Sequence, residues 1–277
     1  MVKVGEEVIN LIEEGYSLNE ISRKTGLGKS TIYYHYKKIK GKKYSEVKIN
    51  FENESELGEF LGIFAGDGYS YNDEHGHYTI RIFVGHYELG YALYLYNKLV
   101  KWFDKNPKVY FVKIEGKVSV ILFHYSSKSI YLLLKEYLAW EGKKTYTVRL
   151  KNFDLNKNNF NLGFVRGLID TDGNFYAPKR SLNFSTVSPG LASQFYAIFK
   201  ANLNLEPKFH VFSKYGRADL YSLFLYGVNA QFASSILNFG NPSKVYREAL
   251  PTRFELVSQA KSQALKPACR EARILDH

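Results

Sequence analysis

The sequence predicts an α+β fold in which a small all-helical module precedes two copies of the order helix, hairpin, helix, hairpin, helix. Three observations carry that prediction. Two apolar stretches end alike, "FLGIFAGDG" at 60–68 and "VRGLIDTDG" at 165–173, so that laying Asp172 on Asp67 also lays Gly167 on Gly62 and Gly173 on Gly68. Landmarks further along keep register: Pro107-Lys108 matches Pro207-Lys208 and Lys144-x-Tyr146 matches Lys244-x-Tyr246, both 100 positions apart, whereas the aspartates are 105 apart because "DEHGH" lengthens the first hairpin. The first forty residues show helical spacing with capping signals and have no counterpart in the second copy.

In the leading module, residues 5 to 14 place Val8, Ile9, Leu11 and Ile12 at helical spacing before Gly15. Ser17 and Glu20 form a capping box for a second helix running through Ile21 to Thr25. After the "GLGKS" turn, "KSTIYYHYKKIK" spaces Ile32, Tyr36 and Ile39 as a third helix. Three short helices with a Gly-containing turn before the last look like a helix-turn-helix DNA-binding unit over 1–44. Leu27, Ile32 and Tyr36 then pack inward, and Lys29, Ser30, Thr31, Tyr34, His35 and Lys38 face a nucleic acid. A small bundle that binds protein is the alternative, and the run "KKIKGKK" favours DNA. Residues 45–54 are the linker.

The first repeat, 55–150, opens with the apolar helix ending at Asp67. Tyr78, Ile80, Ile82 and Val84 then alternate with His77, Thr79, Arg81 and Phe83, as a strand with one buried and one wet face requires. A helix over 87–104 stops before Pro107, "KVYFVKIEGKVSVILFHY" is a second hairpin turning at 115–117, and "SKSIYLLLKEYLAW" closes the repeat as a helix. The second repeat, 151–250, runs through "NLGFVRGLID", "GNFYAPKRSLNFSTV", "SPGLASQFYAIFKANLN", "KFHVFSKYGRADLYSLFLY" and "NAQFASSILNF" in the same order. Two hairpins per repeat make two antiparallel four-stranded sheets. Residues 251–277 form a C-terminal tail.

Over 277 residues the chain carries a formal net charge of +11 and a pI near 9.3, which favours a polyanionic partner, nucleic acid foremost. A single Cys, at 269, excludes an internal disulfide framework and a cysteine-built metal site. The charged start "MVKVGEEVIN" and the lack of a long apolar run predict an intracellular protein of the cytoplasm or nucleoid, with no membrane partner. Abundant Tyr and Lys with one Met and one Cys point to a thermophilic source.

The repeated helix end raises a chemical question, because Asp67 and Asp172 stand where free carbonyls already make the field negative. Gly58, Gly62 and Gly66 recur every four residues, as do Gly163, Gly167 and the small Thr171, which gives each helix a stripe that lets two backbones approach. Packed side by side, the helices would bring both carboxylates to one end. Such a spot is destabilising when empty, and a hard divalent cation such as Mg²⁺ resolves it with oxygen ligands.

The pair "FLGIFAGDG" and "VRGLIDTDG", each opening the same succession of elements, resembles the LAGLIDADG homing endonucleases in their single-chain, two-repeat form. The resemblance covers roughly residues 55 to 250; one copy departs from the pattern in having Ala65 where the other has Asp170, upstream of the carboxylate that carries the chemistry. It implies αββαββα repeats related by a pseudo-twofold axis, with the two sheets forming a saddle over double-stranded DNA. It also implies a monomer that hydrolyses one phosphodiester in each strand at a specific site. Asp67 and Asp172 would be metal ligands for Mg²⁺ or Mn²⁺, assisted by the carbonyls of Gly66 and Thr171. Lys144 and Lys244 resemble the family's basic active-site residues, with Lys143 the alternative to Lys144.

On the sheets the outward residues would be His77, Thr79 and Arg81 in the first repeat and Ser181, Asn183 and Ser185 in the second, with Lys113, Lys117, Lys179, Arg180, Lys208 and Lys214 adding charge at the hairpins. His75, His77 and His86 lack a fixed ligand set and read as surface histidines rather than a zinc site. A non-cleaving DNA-binding regulator or an RNA splicing maturase on the same fold is the second reading. The gene would be free-standing or intron-encoded, since no splicing residues of an intein stand out.

Overall fold

A computed structural model gives the fold and describes residues 2–40, 47–73, 76–114, 116–213, 215–246 and 273–276. The chain divides into two compact units, 1–46 and 47–277.

The first unit holds α1 (Val2–Glu13), α2 (Leu18–Thr25) and α3 (Lys29–Lys40). Ser17 caps α2 as its sequence requires: its side chain accepts from the Glu20 amide at 3.3 Å, and the Glu20 carboxylate accepts from the Ser17 amide at 2.8 Å. Gly26 ends α2 in the left-handed conformation, φ +69°, and its amide donates to the Ser22 carbonyl. Val8, Ile12, Ile21 and Ile32 form the core, with Leu11, Tyr16, Leu18, Leu27 and Tyr36 against it. Ile39, spaced to join Ile32 and Tyr36, is instead 37% exposed in the last turn of α3. Residues 41–46, the end of the basic run and the start of the linker, lie outside the described residues.

In the second unit the first repeat runs α4 (Glu54–Asp67), β1 (Gly68–Asn72), β2 (Tyr78–Gly85), α5 (Leu89–Phe103), β3 (Lys108–Ile114), β4 (Lys117–Ser126) and α6 (Lys128–Tyr137). A short connection follows: β5 (Leu138–Ala139), α7 (Lys144–Thr147) and β6 (Arg149–Leu150). The second repeat runs α8 (Asn158–Asp172), β7 (Gly173–Tyr176), a 3₁₀ turn at Ala177–Lys179, β8 (Ser181–Thr186), α9 (Pro189–Leu203), β9 (Lys208–Phe212), β10 (Leu220–Tyr226) and α10 (Gly227–Leu237). A turn at Pro242–Lys244 leads into β11 (Val245–Tyr246).

Each repeat builds its antiparallel four-stranded sheet, ordered β1-β2-β4-β3 in the first and β7-β8-β10-β9 in the second. Each sheet also gains a short parallel edge strand that the hairpin count does not foresee, β11 beside β7 and β12 (Arg273–Asp276) beside β3. Apart from β12 the tail from 251, with Cys269, lies outside the described residues. Ile80, Ile82 and Val84 of β2 and Leu182 and Phe184 of β8 face the core, which is continuous through both repeats. His77 falls just before β2 rather than within it.

The glycine stripes do what their spacing requires. A Cβ on Gly58 would overlap the Phe160 carbonyl, one on Gly62 the Phe164 carbonyl, one on Gly163 the Ser55 carbonyl and one on Gly167 the Glu59 carbonyl. Helices α4 and α8 therefore pack backbone to backbone along their length, as only residues without side chains allow. Arg166 of α8 pairs with the buried Glu59 of α4, whose carboxylate also accepts from Tyr94 Oη at 2.6 Å and Lys98 Nζ at 3.4 Å. The pairing fixes the two helices against sliding as well as splaying.

Candidate functional site

Because α4 and α8 abut and end in step, Asp67 and Asp172 emerge at the same place. A Cβ on Gly66 would overlap the Thr171 side chain and come within 3.0 Å of Asp172 Oδ2. The Asp67 pKa is raised to about 7, by burial first and then by the Asp172 charge, with Lys244 and Lys144 opposing the shift. Asp172 keeps a face open to solvent, but the protein crowding its other sides raises its pKa too, against the pull of Lys144 and Lys244. These are two carboxylates that resist being charged together. The carboxylate oxygens suit a hard divalent cation. Among the described residues no cluster of three or more His, Cys, Asp or Glu is placed to hold a metal, so protein carboxylates would supply only part of its shell.

Lys144 lies on α7, inside a loop closed by Thr147, whose hydroxyl donates to the Glu141 carbonyl at 2.7 Å and accepts from the Glu141 amide at 3.0 Å. From there Lys144 Nζ donates to the carbonyls of Phe64 at 2.7 Å, Ala65 at 2.6 Å and Gly66 at 3.1 Å. The negative end of α4 thus has a cation of its own, the Lys144 ammonium. The Gly66 carbonyl, expected as a metal ligand, is engaged by this ammonium. Burial lowers the Lys144 pKa to about 8 despite the two aspartates. Lys143, the alternative, is exposed. Thr171 turns its hydroxyl back along α8 to the Gly167 and Leu168 carbonyls, at 3.1 and 3.0 Å.

Lys244 is held differently. Its Nζ lies 3.6 Å from Oε1 of Glu88, the residue that precedes α5. At the end of α8 the position corresponding to the Lys144 ammonium goes instead to Asn241, whose Nδ2 donates to the Asp170 carbonyl at 2.8 Å and to Glu88 Oε1 at 3.1 Å. The fully buried Asp170 carboxylate accepts from the amides of Gly240 at 3.1 Å and Asn241 at 2.9 Å. Burial takes the Asp170 pKa to about 7 against those two bonds. Asp170, the departure from the repeat, is therefore the anchor of the loop that carries Lys244. Glu88 and Asn241 escaped the sequence reading. Their signal was there as broken symmetry, since the counterparts are Ser188 and Glu141.

The sheet residues expected to face outward sort by register. In the first sheet Tyr71, Thr79 and Ser126 make one row and Tyr69, Arg81, His124 and Lys108 the next. The Arg81 guanidinium lies over the Tyr69 ring at 6.0 Å. His124 is pushed down to about 4 by burial and by Arg81 and Lys108. In the second sheet the rows are Tyr176, Ser181, Tyr226, then Asn174, Asn183, Phe224, Lys208, then Ser185, Ser222, His210. Lys208 Nζ lies 5.6 Å from the Tyr226 ring centre, and the Ser185 and Ser222 hydroxyls are 2.8 Å apart. Lys117, Lys179 and Arg180 are exposed at the hairpins, Lys113 is half-buried at a bulge in β3, and Lys214 lies outside the described residues.

The histidines expected at the surface are bonded locally. His77 Nδ1 lies 2.7 Å from Asp73 Oδ2 and His86 Nδ1 lies 3.1 Å from the Ser119 carbonyl, while His75 lies outside the described residues. In the first unit Lys29, Ser30, Thr31, Tyr34 and Lys38 are exposed, with Lys38 Nζ 4.6 Å from the Tyr34 ring centre. His35 is half-buried and leans toward α1, 3.8 Å from where a Cβ on Gly5 would stand.

Residues 159–236, the second repeat from α8 through α10, match the LAGLIDADG-like domain, so the chain carries such a domain. The homing endonuclease I-DmoI, in a study of its mesophilic variants, superposes with a TM-score of 0.46 at 18% identity over 68% of this chain and 98% of its own. I-DmoI in complex with DNA and Mn gives 0.44 at 17% identity, over 67% and 98%. Full-length DUF199/WhiA from Thermatoga maritima gives 0.45 at 14% identity, covering 78% of this chain and 63% of its own. None of the curated proteins matches the chain. Among the described residues no helix is long and apolar enough to cross a membrane.

Proposed function

We propose that the chain is a site-specific DNA endonuclease of the LAGLIDADG type that cuts both strands of a duplex with Mg²⁺ or Mn²⁺, as a monomer, with unit 1–46 adding a helix-turn-helix contact to DNA. One observation carries the reading: two helices packed backbone to backbone deliver Asp67 and Asp172 to one point, between Lys144 and Lys244. A merely structural helix pair gains nothing from two carboxylates, one of which has its pKa raised by the charge of the other.

Asp67 and Asp172 would hold the divalent ions, with the Thr171 carbonyl beside them. A bound cation supplies an activated water and neutralises charge growing on the phosphate oxygens. Lys144, fixed by three carbonyls, presents a charge that need not reorganise during the reaction. The wet faces of both sheets, with Arg81 and Lys108 on one and Asn183, Ser185 and Lys208 on the other, offer donors for phosphates and base edges, and the net charge of +11 supplies the long-range attraction.

A second reading, a DNA-binding protein that does not cut, draws on the Lys144 ammonium. That group already occupies the end of α4, and together with Lys244 it gives the aspartate pair protein cations of its own. Incubating the protein with a randomised duplex library and Mg²⁺, then sequencing cleaved ends and bound fragments separately, distinguishes the two. Cut ends sharing one sequence support the nuclease. Enrichment by binding with no cut ends overturns it.

A further inference from the structure

Three residues at which one half departs from the other meet in space. Asp170 stands opposite Ala65, Asn241 opposite Glu141, and Glu88 opposite Ser188. The residues on one side of each pair form one buried chain of contacts: Asp170 holds the amides of Gly240 and Asn241, the Asn241 side chain reaches Glu88, and Glu88 pairs with Lys244. Oε2 of Glu88 is fixed in turn by the Gly85 amide at 3.2 Å. The matching place in the other half is neutral. Ser188 donates to the Val148 carbonyl at 2.7 Å, and the neighbouring Lys144 ammonium sits on backbone carbonyls. The residue preceding each repeat's second helix thus grips the segment that follows the other repeat's last helix, once through a hydroxyl and once through a carboxylate.

We propose that Glu88 is a positioning residue for Lys244, and that it makes the two halves of the site inequivalent, so that the two strands are cut by differently held lysines. The proposal rests on the endonuclease reading above. Its chemistry follows from what each ammonium must give up to approach a phosphate. Lys144 would have to leave three short hydrogen bonds at a helix end and stays where it is. Lys244 has one carboxylate within 4.0 Å among the described residues, that of Glu88 at 3.6 Å, and an incoming phosphate can take over that pairing while Asn241 keeps Glu88 in place. Glu88 is nearly fully buried, so its charge is exerted on Lys244 and on Asp67 with little solvent screening.

The test uses the full chain and a supercoiled plasmid carrying the duplex site recovered from the library, followed as nicked and linear product. Glu88→Gln removes the charge and retains the shape, and Lys244→Met removes the partner. The expected result is that each slows the cut of the same single strand tenfold or more, leaving nicked circles, and that the double variant is no slower than Lys244→Met alone. Equal slowing of both strands, or multiplicative effects in the double variant, would overturn the positioning role. A parallel readout needs no cleavage: amine labelling of the metal-free protein followed by mass spectrometry should rise severalfold at Lys244 in Glu88→Gln and stay unchanged at Lys144. If the wild type cuts nothing in the library, the nuclease reading falls, while the labelling still decides whether Glu88 holds Lys244. Unchanged labelling at Lys244 would sink that contact too. Circular dichroism melts of Lys244→Met, a change at a partly exposed side chain, exclude unfolding as the cause.

Discussion

Lys144 and Asp67 sit on opposite sides of one electrostatic balance, and single substitutions separate their contributions. Asp67 is a carboxylate whose folded pKa is raised, so the folded state retains a proton that the unfolded chain has lost between about pH 4 and about 7. Its contribution to stability is complete below the unfolded pKa and disappears as pH rises through about 7. In chelator-treated protein the thermal midpoint of Asp67→Asn should exceed that of the wild type at pH 8 by an amount worth about 1–2 kcal/mol, after allowance for solvent at the open face. The gap should close toward pH 4. A gap independent of pH would show that the aspartate is not strained. Both Asp67→Asn and Asp172→Asn should abolish double-strand cutting while DNA affinity holds, and full cutting by either under Mg²⁺ would remove that aspartate from the site. Lys144→Met should cost about 2–3 kcal/mol in urea unfolding, because three buried carbonyls lose a charged donor, whereas Lys244→Met should cost under about 1 kcal/mol. If both lysines act at the scissile phosphates, single-turnover cutting falls in both variants and affinity barely moves. If they are ordinary phosphate contacts, affinity falls instead and its salt slope drops by about one unit per lysine.

At the scale of elements the α4–α8 pair decides the site, and the same substitution should have opposite signs in the two units. Gly62→Ala must push a methyl group into the Phe164 backbone, which cannot yield as a side chain tip can. The expected loss is about 1–3 kcal/mol even after the gain in helix propensity, with the aspartates moved out of step. Gly5→Ala in α1 meets only His35 Cε1 at 3.8 Å and should raise stability by about 0.5–1 kcal/mol. Urea midpoints for both variants check this, and a tolerated Gly62→Ala would mean that the helices can separate without consequence. The helix pair was legible in the sequence because close backbone approach leaves a periodic stripe of glycines, and the strands were legible because Ile80, Ile82 and Val84 alternate with wetter residues. The packing of Lys144 onto Phe64, Ala65 and Gly66 was not, since it joins positions some eighty residues apart and leaves no local pattern. Asp170 was visible as an oddity beside Ala65, yet its meaning depends on Asn241 and Glu88, which only the fold brings together. The edge strands β11 and β12 were also unreadable, being too short to show alternation.

On the scale of the whole molecule the question is whether two separately built units act on one DNA. Unit 1–46 has its own core of Val8, Ile12, Ile21 and Ile32 and its own capping box, and among the described residues the core cluster of unit 47–277 is drawn from that unit alone. Removing residues 1–46 should therefore leave the thermal midpoint of the remainder within a few degrees of the full chain, since each unit has a core of its own. DNA binding should respond differently. Lys29, Ser30, Thr31, Tyr34 and Lys38 present hydroxyl, aromatic and ammonium groups together on the exposed side of α3, a set able to contact phosphates and base edges. If they do so, the truncated protein binds its selected site more weakly by tenfold or more, its log affinity falls less steeply with log salt, and its footprint loses one end. Cutting at saturating protein should persist, because Asp67, Asp172, Lys144 and Lys244 all lie in the larger unit. Nuclease footprinting and a salt titration of both forms measure these effects. Equal affinity, slope and footprint would assign the small unit to a protein partner instead, and lost folding on truncation would show that the two cores are not independent.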